Sequence, residues 1–132
     1  MTPGQLRIAF SAIRSSAYAR GLSFDLSYSD VVRLIKQPCR YCGDDRGLRR
    51  GLDRMDSSLG YTLDNVVPAC VDCNNAKSDV FTFEEMLVIG RAIAAVKAQW
   101  PRDKPRPARR RRQPSPPHDL ADWAPIPGRP QF

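Results

Sequence analysis

Histidine is almost absent from this chain, which has a single one, His118, in 132 residues. It lies in the proline-rich C-terminal part, so the central motifs have no neighbouring histidine to act as a general base. Long apolar runs are absent too, and none approaches the roughly 18 residues that span a bilayer. The first residues lack the basic-then-apolar pattern of a secretion signal. We therefore expect an intracellular protein with no membrane segment.

Cysteine is scarce but regularly placed, in two C-x-x-C pairs, Cys39–Cys42 and Cys70–Cys73. Two such pairs in a chain without an export signal favour one tetrahedral zinc site over a disulfide framework. A redox role would need a thioredoxin-like context, which is missing. Zinc would hold a small scaffold together. The polar residues between the two pairs are then where the function should be sought.

The net charge of +7 is unevenly distributed. Residues 101–132 contain eight Lys or Arg and three Asp, which gives this tail +5 of the total. Zinc bound by four thiolates would add −2 to the remaining +2, so the body of the protein is close to neutral. Attraction to polyanions must then come mainly from the tail, above all from Arg109, Arg110, Arg111 and Arg112.

The N-terminal third has the periodicity of helices. Apolar residues at three- and four-residue steps predict an amphipathic helix over residues 3–20. Residues 22–26 alternate and predict a short extended segment. A second helix is predicted over residues 31–35, capped by Ser29 or Asp30 and ended by the proline that precedes the first cysteine pair.

The central part is predicted to be a hairpin followed by helices. Residues 48–55 and 65–68 are its two strands, and the segment between them is rich in turn formers. A short helix is predicted from Val71. The segment Thr82–Glu85 has the capping-box pattern, with Thr82 as N-cap, and opens a last helix that runs to about Trp100.

The composition changes sharply after this helix. Nine of the twelve prolines fall in residues 101–132, together with few apolar side chains. We therefore expect a folded domain over residues 1–100, with its core at 39–79, followed by a disordered basic tail.

The order of the motifs resembles the HNH, or ββα-metal, nuclease family. The resemblance covers about residues 22–96 and is most specific from Cys39 to Asp79. It is strongest with the zinc-stapled phage branch similar to recombination endonuclease VII. The segments that carry it are Cys39–Gly43, Leu52–Asp56, Gly60–Thr62 and Asn65–Asn74.

The resemblance implies a role for each polar residue of these segments. The four cysteines would bind structural zinc. Asp53 and Asn74 would be ligands of a catalytic Mg²⁺ or Mn²⁺. Asn65 would steady the hairpin loop, and Lys77 would contact a phosphate.

The chemistry makes these residue types sensible. A carboxylate and an amide oxygen form a hard, oxygen-only half-shell that leaves positions for water and a phosphate oxygen. A divalent cation held this way can stabilise the charge that develops on the phosphate and on the leaving oxygen. The requirement is geometric, since the end of the first strand must face the start of the helix.

The chain departs from the family at the general base, which is usually a histidine close to the metal-binding aspartate. Here the segment is Asp53-Arg54-Met55-Asp56. Arg54 cannot act as a base because a guanidinium stays protonated in proteins, but it can clamp a phosphate through two parallel hydrogen bonds. Asp56 is the candidate base, and an ordinary pKa near 4 would make it a weak one.

Each of these assignments has a structural alternative. Asp53 can be a turn carboxylate, Asn74 a helix cap, and Lys77 a solvated helix lysine. Basic residues on the approach to the hairpin either contact the DNA backbone or belong to a solvated loop. These are Arg46, Arg49 and Arg50.

The sequence thus predicts a small α+β domain, a zinc-bound ββα-metal unit with flanking helices and a basic tail. The predicted function is metal-dependent hydrolysis of DNA phosphodiester bonds, in a bacterial or phage-infected cell. The alternative is a non-catalytic zinc module, derived from the same fold, that binds DNA or RNA or has a structural role. The oligomeric state stays open.

Overall fold

The computed structural model describes residues 1–46 and 50–104, and at Arg50 the backbone alone. The described part contains four helices and two strands. In chain order they are α1 (Pro3–Ala19), α2 (Tyr28–Ile35), β1 (Arg50–Arg54), β2 (Val66–Cys70), α3 (Val71–Lys77) and α4 (Phe83–Lys97). The predicted α+β class is confirmed.

The two strands form an antiparallel hairpin that runs directly into α3. The register pairs Arg50 with Cys70 and Asp53 with Val67. Cys70 ends β2 and is also the N-cap of α3, since its Sγ accepts from the backbone N–H of Cys73. No linker separates strand from helix, so α3 folds back against β1 and completes a ββα unit.

The helix caps show where local sequence signals suffice. At α4, Thr82 accepts from Glu85 N and the Glu85 side chain accepts from Thr82 N, as the capping box predicts. At α2 the expected cap, Ser29 or Asp30, was wrong. Ser27 is the N-cap, because its hydroxyl accepts from Asp30 N while the Asp30 carboxylate accepts from Ser27 N.

Two apolar clusters flank the hairpin. The first lies between α1, α2 and β1 and includes Leu6, Val31, Ile35 and Leu52. It reaches the hairpin loop through Tyr61, which forms an isolated parallel bridge with Phe24, in the predicted extended segment. The second surrounds the four cysteines and is closed by α4 through Met86. The hairpin is thus packed against an apolar cluster on each of its two faces, and this packing fixes the positions of its residues.

Helix α4 packs unusually closely on the first cysteine pair. A Cβ placed on Gly90 would lie 2.3 Å from the backbone oxygen of Tyr41. A glycine at this position therefore allows the helix to contact the backbone of the turn that contains the first cysteine pair. Among the described residues, none of the helices combines the length and apolar character needed to cross a membrane.

Candidate active site

The four cysteines converge on one point between β2, α3 and the loop after α2. Their sulfur atoms all lie within 4.8 Å of one another, and no pair forms a disulfide. A zinc ion with Zn–S bonds of about 2.3 Å requires S···S separations of about 3.8 Å in a tetrahedron. The sulfurs of Cys42 and Cys70 are 3.7 Å apart. The donor set and its spacing therefore fit a Cys₄ zinc site.

The first cysteine pair belongs to a tight turn. The N–H of Gly43 donates to Cys39 O at 2.8 Å, and Gly43 has φ +73°, in the region that favours glycine. Arg40 N donates to Pro68 O, which ties this turn to β2 and brings the two pairs together.

A buried lysine contacts the cysteine cluster. Lys97 Nζ lies 3.3 Å from Cys70 Sγ, and it forms ion pairs with Asp44 at 2.8 Å and Asp72 at 2.9 Å. Burial opposes its charge, but hydrogen bonds to these two carboxylates, together with the contact with Cys70, raise the pKa of Lys97. Burial likewise disfavours the Asp44 carboxylate, yet hydrogen bonds from Lys97 and Arg46 lower the pKa of Asp44 to about 2. The ammonium thus offsets part of the negative charge of a tetrathiolate site.

Asp53 lies on β1, one residue before its end, and is only 5% exposed. The hydroxyl of Tyr41 donates to Asp53 Oδ2 at 2.5 Å. Burial, together with this hydrogen bond, raises the pKa of Tyr41, so the tyrosine stays a donor. Tyr41 stands inside the first cysteine pair. The turn that carries the first cysteine pair therefore also orients the carboxylate.

Lys77 does not lie where a phosphate contact needs it. Its side chain is fully buried, and its ammonium donates to Arg54 O at 2.8 Å. It also lies 3.5 Å from Oδ1 and 3.4 Å from Oδ2 of Asp53. The predicted phosphate contact is corrected on this point, because α3 packs against β1 and turns this position inward. Lys77 is the counter-charge of Asp53.

Asn74 projects from α3 toward the same strand. Its Nδ2 donates to Leu52 O at 3.4 Å, one residue before Asp53. The alternative of a helix cap does not hold, since the N-cap is Cys70 and Asn74 lies inside the helix. Asn74 and Lys77 are three residues apart and share the face of α3 that covers β1.

Asn65 closes the hairpin loop from within. Its Oδ1 accepts from Asp56 N at 2.9 Å, and its Nδ2 donates to the backbone oxygens of Asp56 and Gly60. The residue is 6% exposed. These three bonds fix the path of the loop that follows β1.

Asp56 lies on this loop and is exposed. Its Oδ1 accepts from both the hydroxyl and the N–H of Ser58, and these bonds lower the pKa of Asp56. A lowered pKa makes a carboxylate a poorer proton acceptor. The assignment of Asp56 as a base stays a prediction that the geometry weakens.

Arg54 spans the mouth of the same loop. Its Nη1 donates to Ser57 O at 2.6 Å and to Leu59 O at 2.7 Å, and its Cζ lies 5.6 Å from the centre of the Tyr61 ring. These contacts use one of its nitrogens and leave the rest of the guanidinium fork to other partners.

Of the remaining predicted residues, Arg46 is the one whose side chain is described. It binds Asp44 and the backbone of α4 rather than the hairpin. Those that lie outside the described residues are Arg49, the side chain of Arg50, Arg109 to Arg112 and His118. Sequence reasoning missed Tyr41 and Lys97. For Tyr41 the available signal was its position inside the first C-x-x-C pair.

Comparison with known proteins places this geometry. The structure is similar to that of the rare-cutting HNH restriction endonuclease PacI, with a TM-score of 0.63 and 26% identity over 70% of this chain and 79% of that one. The chain has an HNH nuclease-type fold. In sequence, it is 35% identical over 82 residues to the uncharacterized protein R423 of Acanthamoeba polyphaga mimivirus.

The viral match covers 61% of this chain but only 15% of that protein's length. No protein-family model matches the sequence. The structural similarity to PacI confirms the broader prediction of an HNH-type fold. The narrower likeness to the endonuclease VII branch stays a prediction.

Proposed function

We propose that this protein is a metal-dependent endonuclease that hydrolyses DNA phosphodiester bonds. One observation carries the proposal: in an HNH nuclease-type fold, Asp53 of β1 lies beneath a face of α3 that carries Asn74 and Lys77. These are the elements from which the sequence resemblance builds a catalytic metal site.

The residues around Asp53 fit a hard divalent cation in donor chemistry. Asp53 offers a carboxylate. Asn74 donates from its Nδ2 to Leu52 O, which leaves its Oδ1, a separate acceptor, able to face an ion. Carboxylate and amide oxygens are ligands that Mg²⁺ and Mn²⁺ accept. Lys77 stands 3.4 Å from Asp53, longer than the 2.7–2.9 Å of a strong charge-assisted bond, so it balances the charge of the carboxylate without a short hydrogen bond to it.

Asp53 and Asn74 would therefore hold the ion, and Tyr41 would fix the carboxylate that binds it. The ion would activate a water molecule and stabilise negative charge on the phosphate. The two-sided hairpin packing, with Asn65 locking its loop, would keep the site rigid.

Arg54 would bind a phosphate of the DNA backbone at the hairpin loop, through the nitrogens that the loop carbonyls leave open. We give Asp56 no share in proton transfer, because Ser58 lowers its pKa. Its proposed role is to shape the loop.

Nicking of supercoiled plasmid by the zinc-loaded protein tests this function. We expect nicking with Mg²⁺ or Mn²⁺, and its loss in Asp53→Asn, which removes the charge but keeps the side-chain volume. Asp64→Asn is the matched control, since Asp64 is an exposed carboxylate on the same hairpin. Zinc content and unfolding curves of both variants separate lost chemistry from lost folding.

A non-catalytic module is the competing function, and one observation favours it. The Asp53 side chain is 6% exposed and already has a cation, Lys77, beside it. DNA binding by the wild-type protein with no nicking in either metal would establish this alternative and end the nuclease proposal.

We further propose the division of labour expected from composition, a site-bearing domain over residues 1–100 and a basic tail after it. Deletion of residues 105–132 should weaken DNA binding and flatten its salt dependence, since each lost phosphate contact lowers the slope by about 0.9. Cleavage at low salt should survive the deletion. Loss of cleavage with binding intact would contradict this division.

A further inference from the structure

Two arginines from distant parts of the chain meet at one tyrosine. The Cζ of Arg20 lies 5.9 Å from the centre of the Tyr61 ring, and that of Arg54 lies 5.6 Å from it. Arg20 Nη2 also donates to the Tyr61 hydroxyl at 2.8 Å. Tyr61 itself is 6% exposed. A buried ring thus fixes the position of both guanidinium groups.

Both side chains are also held by neutral acceptors. Arg20 follows α1, and its Nε donates to Ser16 O at 3.1 Å. Arg54 donates from one nitrogen to Ser57 O and Leu59 O. Such contacts restrict rotation without cancelling charge, so both groups are ordered before any ligand arrives.

The charge of this pair is not neutralised by ion pairs. Among the described residues, no carboxylate lies within ion-pair distance of Arg20 or Arg54. The carboxylate of Asp56 interacts electrostatically with Arg54, but its hydrogen bonds come from Ser58. Two ordered guanidinium groups at one ring concentrate positive charge in one part of the surface, and an anion bound there would be attracted by both.

We propose that Arg20 and Arg54 form a phosphate subsite that binds the DNA backbone on the Tyr61 side of the hairpin. The inference rests on the proposed function, since it names a surface that would hold the same DNA substrate. Arg54 directly follows Asp53 along β1, and because side chains alternate along a strand, Arg54 lies on the face of the first apolar cluster while Asp53 faces the second. Arg20 adds an arm from α1, outside the ββα unit, and bidentate arginine contacts suit phosphate oxygens.

The test is binding of a short DNA duplex to the full-length, zinc-loaded protein across a salt series, without added Mg²⁺ or Mn²⁺. We expect Arg20→Gln to weaken binding about tenfold, as for loss of one charge-assisted contact. The slope of log affinity against log salt should fall by about 1. Arg7→Gln is the matched control, because Arg7 is an exposed arginine on the same helix, about 20 Å away along its axis. It should change both quantities much less.

Two further variants separate recognition from folding. Tyr61→Phe removes the hydroxyl that orients Arg20 but keeps every charge, so affinity should fall while the salt slope stays close to the wild type. Arg20→Lys should restore the slope but not the affinity. Equal effects of Arg20→Gln and Arg7→Gln on binding would overturn the proposal. If Arg20→Gln does not fold, Arg20→Lys serves as the test, and an affinity equal to that of the wild type would overturn the proposal.

The outcome is independent of cleavage. Absence of nicking together with the expected binding loss would end the nuclease proposal and keep the subsite. Metal-dependent nicking with unchanged binding by Arg20→Gln would do the opposite.

Discussion

The ammonium of Lys77 lies 3.4 Å from Asp53 Oδ2, and only 1% and 6% of the two side chains are exposed. The pair is therefore removed from water, and only groups of the protein solvate its charges, among them Arg54 O, which accepts from the Lys77 ammonium. Tyr41 completes the arrangement by donating to the same carboxylate oxygen. The residue on which the proposed chemistry depends is thus also part of the core.

Removal of the lysine should leave Asp53 as an uncompensated buried charge. We expect Lys77→Met to lower the free energy of unfolding by about 3–5 kcal/mol, the usual result of breaking a buried pair from one side. The double variant with Asp53→Asn should cost less than the sum of the single variants. Urea unfolding of the zinc-loaded proteins measures both, with Arg91→Met, at an exposed position, as control.

The same variant reports on the metal site. If Asp53 binds Mg²⁺ or Mn²⁺, either ion should stabilise Lys77→Met more than the wild type, because the cation replaces the lost ammonium. An unfolding free energy that is independent of both ions would count against Asp53 as a metal ligand.

Removal of zinc should unfold the second apolar cluster, since three of its six buried residues are the cysteines Cys39, Cys70 and Cys73. Metal binding contributes folding free energy directly in small domains of this kind. We expect one zinc per chain, and loss of near-UV and far-UV circular dichroism after strong chelation or in Cys73→Ser. Spectra that persist after complete removal of zinc would show that the core folds without it.

What could be predicted from the sequence was local. The C-x-x-C spacing and the capping box at Thr82 each depend on residues three apart. The four cysteines do form one cluster, and Thr82 does cap α4. The cap of α2 was misplaced because Ser27, Ser29 and Asp30 compete within one turn. The contacts of Lys77 and Lys97 were out of reach, since their partners lie 24 and 53 residues away in sequence and packing alone brings them together.

Lys97 should strengthen the affinity of the four cysteines for zinc. Its contact with Cys70 and its two ion pairs hold positive charge beside the thiolates. We expect Lys97→Met to weaken zinc binding about 10–100-fold, the range found for partners of metal ligands. Competition with a chromogenic chelator measures it, and Arg91→Met, at an exposed position of the same helix, should leave the affinity unchanged. Equal affinity in the two variants would reduce Lys97 to a packing role.

Gly90 should not tolerate a methyl group. Helix propensity alone favours alanine over glycine by about 1 kcal/mol. The new Cβ would however meet the backbone of Tyr41 at 2.3 Å, and backbone cannot turn aside as a flexible side chain does. We expect Gly90→Ala to destabilise by about 1–3 kcal/mol. Gly4→Ala is the control, because its Cβ would have only an ordinary contact at 3.9 Å, and it should be neutral or stabilising.

Replacement of Ser78 by glycine should stabilise the protein. It is the non-glycine residue with positive φ in the described part of the chain, at φ 45° and ψ −134°. It directly follows Lys77 at the end of α3, where its N–H donates to Asn74 O. Side chains with a Cβ pay about 1–3 kcal/mol in such regions. Glycine avoids this cost. It also raises the conformational entropy of the unfolded chain, which offsets part of the gain in stability.

We therefore expect Ser78→Gly to raise the free energy of unfolding by about 1 kcal/mol. Ser78→Ala is the matched control: it keeps the strain and loses only the hydroxyl bond to Asp79, so it should be neutral or slightly destabilising. Urea unfolding separates the two variants. If both were equally stable, the backbone at this position would carry no strain, and the turn after Lys77 would be held by its hydrogen bonds alone.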